Sequence, residues 1–408
     1  MDLSPHTLPA VTQATLLLCA PFGQKDHGNA KPLTPAEFNR LRRQQADLAA
    51  LLRRDHADEL AEVVDPERLR ALLARGALLA LAVEKWAAAG LWVLSRDGDG
   101  YPARLRQQLG DDAPPLLYGV GERELLEQGG LAVVGARDAA DEALEFARAV
   151  AGRCAKEGIG IVSGGARGVD AAAIGGALDN GGRAVAVLAD HLLRAATARG
   201  HKTAIREGRL TLATPQDPEA SFTVWHAMGR NQCLYALADF ALVVQFTTGS
   251  GGTWTGAVEQ LARAERTPGA RPVLVRAQGN PPYGVQQLLD KGARPFPEEA
   301  WQGACRALLD VASRPPPRPP LPAGQPGDFY TAALPLLLEA LREPCDKAAL
   351  KAFAQERQLS GKQLELWLRR AVEEGHVRKK RSGKVLRYVA RLEPTLFEQA
   401  PTQVEPGA

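Results

Sequence analysis

The string Ser163-Gly164-Gly165-Ala166-Arg167-Gly168-Val169-Asp170 runs directly into Ala171-Ala172-Ala173. Residues 158–162 before it are apolar and β-branched, as a strand requires, and the alanines after it favour helix. A strand that ends, a glycine turn and a helix that begins gather backbone N–H groups at the positive end of a helix dipole. Such a place binds anions, phosphate above all. Two other stretches repeat the pattern. Residues 131–134 lead into Gly135-Ala136-Arg137, and residues 240–244 lead into Thr248-Gly249-Ser250-Gly251-Gly252-Thr253. In an open parallel sheet the carboxyl ends of the strands share one edge, so the three loops predict one composite site. Glycines alone serve tight turns. Two loops that also carry arginine, and one that carries hydroxyls, point to anion binding.

The donors expected there are Arg137, Arg167, Arg230, Asn231, Ser163, Ser250 and Thr253, with the loop positions Gly135, Gly164, Gly165, Gly168, Gly251 and Gly252. A donor-rich, acid-poor site of this kind binds phosphate without an evident means of breaking bonds. No GxSxG elbow, GxxxxGK[ST] loop or acidic metal cluster is present, and Gly135-Ala136-Arg137 falls short of GxGxxG. No catalytic residue, metal or cofactor is therefore expected. Asp170 falls in the first turn of a predicted helix, where an acid suits the dipole and can accept a loop N–H; its expected part is structural.

The elements that must position these loops alternate strand and helix from residue 131 to about 296. Strands are predicted at 131–134, 159–163, 183–188, 210–212, 240–245 and 272–276. Helices are predicted at 141–156, 168–179, 190–199 and 284–291. This is an α/β, Rossmann-like, doubly wound and mainly parallel sheet. Residues 1–90 read as a small helical, SAM-like domain. Thr34-Pro35-Ala36-Glu37 starts a helix there whose periodicity runs to Leu52. The α/β domain covers 91–310, and a proline-rich spacer covers 311–328. Residues 329–392 read as three helices and a hairpin, a winged-helix-like domain, before a flexible tail at 393–408. Its hairpin is basic: residues 375–391 hold seven Lys/Arg and no Asp/Glu. Arg378, Lys379, Lys380, Arg381, Lys384 and Arg387 form a candidate second nucleic-acid contact.

The 408 residues include 45% hydrophobic and 24% charged side chains, enough for an ordinary core, and the net charge of +3 alone does not argue for nucleic acid. The five cysteines are odd in number and widely spaced, which fits a reducing cytoplasm better than a disulfide framework. No stretch is long and apolar enough to predict a membrane span.

The ordered motifs Gly135-Ala136-Arg137, Ser163 to Ala173, Gly229-Arg230-Asn231, Gly249-Ser250-Gly251-Gly252-Thr253 and Gly292-Ala293-Arg294-Pro295-Phe296 resemble the DNA-processing protein A (DprA/Smf) family over roughly residues 90–297. The resemblance implies a single-stranded DNA-binding protein that protects incoming strands in natural transformation, loads the RecA recombinase and acts as a homodimer. It places Arg137 and Arg167 on phosphates, Ser163, Gly164 and Gly168 around the pocket, and Arg230-Asn231 and residues 250–253 beside it. The chain departs from the family pattern at Gly165, at Ile174 and most of all through 189–221. Two other readings share the fold: a nucleotide-ligand sensor of a bacterial conflict system, and a phosphoribohydrolase of the lysine-decarboxylase-like type. The hydrolase needs a glutamate directly after Gly252-Thr253, where Trp254, Thr255 and Gly256 stand instead.

Overall fold

A computed structural model of the chain describes residues 8–24, 28–266, 271–277, 283–296, 345–356, 360–382 and 385–390, with a few separate positions between 305 and 341. Its contacts divide it into two units, Met1–Pro316 and Pro317–Ala408.

In the first unit, α1 (Ala10–Cys19), α2 (Pro35–Gln44), α3 (Pro66–Leu73) and α4 (Gly76–Ala88) precede the antiparallel pair β1 (Trp92–Ser95) and β2 (Leu116–Val120), with α5 (Ala103–Leu109) between them. Next come β3 (Leu131–Val134), α6 (Asp141–Lys156), β4 (Ile161–Ser163), α7 (Val169–Asp179) and β5 (Ala184–Val187). The chain continues through α8 (Leu192–Thr197), α9 (Arg199–Arg206), β6 (Leu210–Thr214), α10 (Val224–Leu237) and β7 (Phe240–Val243). It closes with α11 (Gly251–Arg266), β8 (Val273–Val275), α12 (Tyr283–Asp290) and β9 (Arg294–Pro295).

Among the described residues these strands form one nine-stranded sheet, in the order β1-β2-β6-β5-β4-β3-β7-β8-β9. It is parallel from β6 to β9, and β2 runs antiparallel to β6. The mainly parallel α/β sheet expected from the alternation is thus the observed one. Every residue of β3 is buried, and its side chains alternate between two cores. Leu131 and Val133 join the core under α6 and α7, whereas Ala132 and Val134 join the one under α10 and α11. From β3 the chain winds outward through β4, β5 and β6, then crosses back to β7 on the other side of β3. The loops after β3 and β7 therefore diverge from adjacent strand ends, which opens a crevice at the switch point.

Two predicted helices are shorter than the periodicity suggests. The helix that starts at Pro35 stops at Gln44, because the Asp47 carboxylate accepts the Ala49 N–H at 3.0 Å and turns residues 48–52 into a separate 3₁₀ segment. The helix predicted at 190–199 ends at Thr197, and a second begins at Arg199, because Ala198 is extended between them. Thr197 Oγ1 bonds back to the Arg194 carbonyl at 3.0 Å and closes the first.

Residues before Gly90 have a small core of their own around Phe38, Leu41, Leu69 and Leu72. Leu16 and Leu17 of α1, with Val83 and Trp86 of α4, belong instead to the core of the sheet. The second unit holds α13 (Lys347–Glu356), α14 (Gly361–Glu373) and a hairpin of β10 (Val377–Ser382) and β11 (Val385–Ala390) around a core of Leu350, Leu364, Trp367 and Leu368. Of the first helix expected there, single helical positions between Tyr330 and Ala340 are described. The proline-rich spacer, Lys384 and the tail lie outside the described residues.

The start of α2 is a capping box: the Thr34 N–H donates to Glu37 Oε2 at 2.7 Å, and the Glu37 N–H donates to Thr34 Oγ1 at 3.3 Å. Arg68 of α3 donates to the same carboxylate at 2.7 Å and, foremost among the causes, lowers the Glu37 pKa from 4.5 to about 2. A depressed carboxyl pKa stabilises the fold above its unfolded value and loses that effect as pH falls toward the folded one. Glu37→Gln is expected to lower Tm by roughly 2–4 °C at pH 7. In thermal melts the gap from the unsubstituted protein should narrow between pH 4.5 and about 2.

Candidate functional site

The three glycine loops meet. One cavity of about 620 Å³ at the β3/β7 crevice is lined by Gly135, Ala136, Arg137 and Asp138 after β3, by Ala166 and Asp170 around the start of α7, and by Phe246, Thr247 and Ser250 to Thr253 after β7. Its remaining wall is α10 and the segment that leads into it, with Phe222, Val224, Met228, Arg230, Asn231 and Tyr235. The Ala136 N–H donates to the Gln245 carbonyl at 2.7 Å, which holds the β3 and β7 loops together.

Asp170 and Arg230 lie at the bottom of this site. Both are buried, and Arg230 Nη1 stands 3.6 Å from Asp170 Oδ2. Burial raises the pKa of Asp170; Arg230 and the N–H groups of Ala166 and Gly135, which the carboxylate accepts, work against that rise. Burial likewise lowers Arg230, with Asp170 opposing. The Arg230 Nε has no hydrogen-bond partner among the described residues. A buried cation on the wall of a cavity, beside backbone donors, favours an anion there.

Arg137 is exposed at the rim, its guanidinium 4.6 Å from the centre of the Phe222 ring. Arg167 is exposed too, and pairs with Asp138 at 2.8 Å, with 73% and 78% of the two side chains open to solvent. So open a pair contributes little and leaves Arg167 able to change partner. Gly251 begins α11 and Ser250 precedes it, both exposed, so the positive end of a 16-residue helix faces the cavity.

Several expected donors are turned elsewhere. Ser163 is fully buried, and its hydroxyl donates to the Val133 carbonyl at 2.7 Å, so it ties β4 to β3 and cannot reach a ligand. Gly165 borders a different cavity, on the opposite face of the sheet beside Leu188 and Ala186. Thr253 and Asn231 line the site but donate to the carbonyls of Gly135 and Gly252, both at 3.0 Å. Nor is the site acid-poor as expected, since Asp138 and Asp170 both line it. Glu259, the nearest acid downstream of Gly252-Thr253, is not among the lining residues. Of the few aromatics that the sequence offers near the glycine loops, Trp225, Phe246 and Trp254, Phe246 lines the cavity and the two tryptophans do not. Phe222 and Val224, 41% and 67% exposed, line it as well and escape that reading, and Trp225, 79% exposed, follows Val224 in the chain.

In the second unit, Arg378, Lys379 and Arg387 are exposed on the hairpin. Lys380 pairs with Arg387 and Arg381 with Leu386 in its register.

The site needs two glycines, one against the Asp170–Arg230 pair and one against the loop after β3. A Cβ at Gly164 would overlap the Arg230 guanidinium and press on the Asp170 carboxylate. Gly168 has φ +84°, and a Cβ there would strike the carbonyls of Ala136 and Arg137. Gly175 in α7 meets nothing within 4 Å. Gly164→Ala is therefore expected to destabilise by about 1–3 kcal/mol. Gly175→Ala should be neutral or stabilise by up to about 1 kcal/mol. Denaturant titration of the two variants tests the contrast.

No curated protein sequence matches the chain. Among solved structures, the chain is similar to DNA processing protein A (DprA) from Streptococcus pneumoniae, at 22% identity and a TM-score of 0.43, with 64% of this chain and 94% of that one covered. It is similar at 25% identity and the same TM-score to DNA processing protein A from Helicobacter pylori, described with a unique single-stranded DNA binding mode, with 54% and 97% covered. A molybdenum cofactor carrier protein from Chlamydomonas reinhardtii follows at 17% identity and a TM-score of 0.29, with 46% and 99% covered. The model of the DNA recombination-mediator protein A family matches residues 92–300, from the edge strand β1 past the last strand of the sheet. That span is just over half of the chain and contains all three loops, and the chain belongs to this family.

Proposed function

We propose that the crevice binds the phosphate backbone of single-stranded DNA, and that the protein protects incoming strands and delivers them to the RecA recombinase, acting as a homodimer. Family membership supports a DNA-processing role in transformation and recombination. The observation that carries the finer reading is the buried Arg230 cation on the wall of the cavity where the three loops meet, rimmed by Arg137 and the N-terminus of α11. Phosphate fits that arrangement, because it offers several acceptors to donors already held in place. Phe222 and Val224 at the crevice, with the exposed Trp225 next to them in the chain, add a surface on which unpaired bases can stack, whereas the bases of a duplex are already paired and stacked. Asp170 is assigned no catalytic part, since its carboxylate is engaged by Arg230 and two backbone N–H groups. The exposed Arg378, Lys379 and Arg387 of the hairpin are proposed as a second backbone contact.

Fluorescence anisotropy with a labelled oligothymidylate, a duplex of equal length and a mononucleotide tests this across a salt series. Strand preference with a steep salt slope is expected. Arg137→Ala combined with Arg167→Ala should weaken strand binding by roughly ten-fold or more and flatten the slope. Trp225→Ala should weaken it by about 1–3 kcal/mol with the salt slope unchanged. Tight mononucleotide binding without strand affinity would instead favour the nucleotide sensor, and release of free base would favour the hydrolase. Replacing Arg378, Lys379 and Arg387 together by alanine should lower the slope by up to about 0.7 per phosphate no longer neutralised. A slope that does not move assigns the hairpin another partner.

A further inference from the structure

Two of the five cysteines lie far from the crevice and take no part in it. Cys154, near the end of α6, and Cys305 are both fully buried, and their Sγ atoms are 3.1 Å apart. They are 151 positions apart in the chain. The contact is held from both sides. The Glu157 carboxylate, one residue beyond α6, accepts the Cys305 N–H at 2.6 Å and the Arg306 N–H at 3.2 Å. Arg153 Nε stands 3.8 Å from the same carboxylate. Cys305 and Leu309 share a core with Cys154, Ile159 and Phe240. The other three cysteines differ in setting: Cys19 and Cys233 are single thiols in the first unit, and Cys345 is in the second.

We propose that Cys154 and Cys305 are a site of reversible thiol–disulfide exchange, which covalently fastens Cys305 to α6. The oxidant is a low-molecular-weight disulfide. One protein sulfur, as thiolate, attacks a sulfur of the oxidant, breaks its S–S bond and releases one small thiolate. The second protein sulfur then attacks the first, closes the Cys154–Cys305 bond and releases the other small thiolate. The two protons lost by the cysteines are taken up by the two small thiolates, so two protein thiols are oxidised as one small disulfide is reduced. Because both sulfurs are buried, transient exposure of the pair sets the pace of oxidation.

Incubation of the folded, full-length protein with oxidised glutathione, acid quenching, alkylation in denaturant and peptide mapping tests the site. Two of the five thiols should disappear, in a single Cys154–Cys305 linked peptide, with Cys19, Cys233 and Cys345 alkylated. Closing so long a loop should raise Tm by about 5 °C or more. Dithiothreitol should reverse both changes. Cys305→Ser should abolish the linked peptide and the Tm response, and Cys154→Ser provides the same reading should that variant fold poorly. Five free thiols after prolonged oxidation, glutathione adducts without the internal link, or a link between other cysteines would each overturn the proposal.

Discussion

A single buried carboxylate organises the site. Asp170 sits in the first turn of α7, accepts backbone N–H groups from the loops after β3 and β4, and faces the Arg230 guanidinium projecting from α10. Three pieces of chain that are remote in sequence, around Gly135, Ala166 to Asp170 and Arg230, thus share one charge pair. Out of water such a pair contributes little net stability, and removal of either member leaves the other charge stranded. Its effect is positional: Arg230 is held at the floor of the crevice with one N–H still unsatisfied. The glycines follow from this, since Gly164 leaves the room that the guanidinium occupies.

Internal bonding divides the loop donors into two sets. Ser163, Thr253 and Asn231 are engaged with the carbonyls of Val133, Gly135 and Gly252 and fix the shape of the crevice. Arg137, Arg167, Arg230 and the N-terminus of α11 remain toward solvent or the cavity. A site whose donors are already oriented loses little entropy on binding, which suits a ligand with repeating identical phosphates. Arg167 and Arg230 are matched by Asp138 and Asp170, so the site presents aligned donors rather than a large net charge.

The remaining parts of the first unit support that edge. α1 and α4 contribute to the core beneath the sheet, and the antiparallel pair β1–β2 covers the outer edge of β6. α6 spans the face of the sheet from the loop that carries Arg137 to the buried thiol pair at its other end.

Much of this is legible in the residue string. Residues 131–134 and 141–156 are predicted and observed over the same spans, because unbroken apolar runs and helical periodicity are local signals. The parallel sheet and the three loops at one edge follow from the alternation of strand and helix. The breaks at Asp47 and Ala198 escape such a reading because side-chain bonds to nearby backbone compete with a helix that periodicity alone would continue. Sequence alone determined which residue types could hold phosphate and that strand ends would carry them. Only the tertiary structure decided that Ser163 points inward, that Arg230 is buried against Asp170, that Phe222 and Val224 line the crevice and that Cys154 meets Cys305. Those outcomes depend on which face of each element packs against a distant neighbour, and no local pattern encodes that.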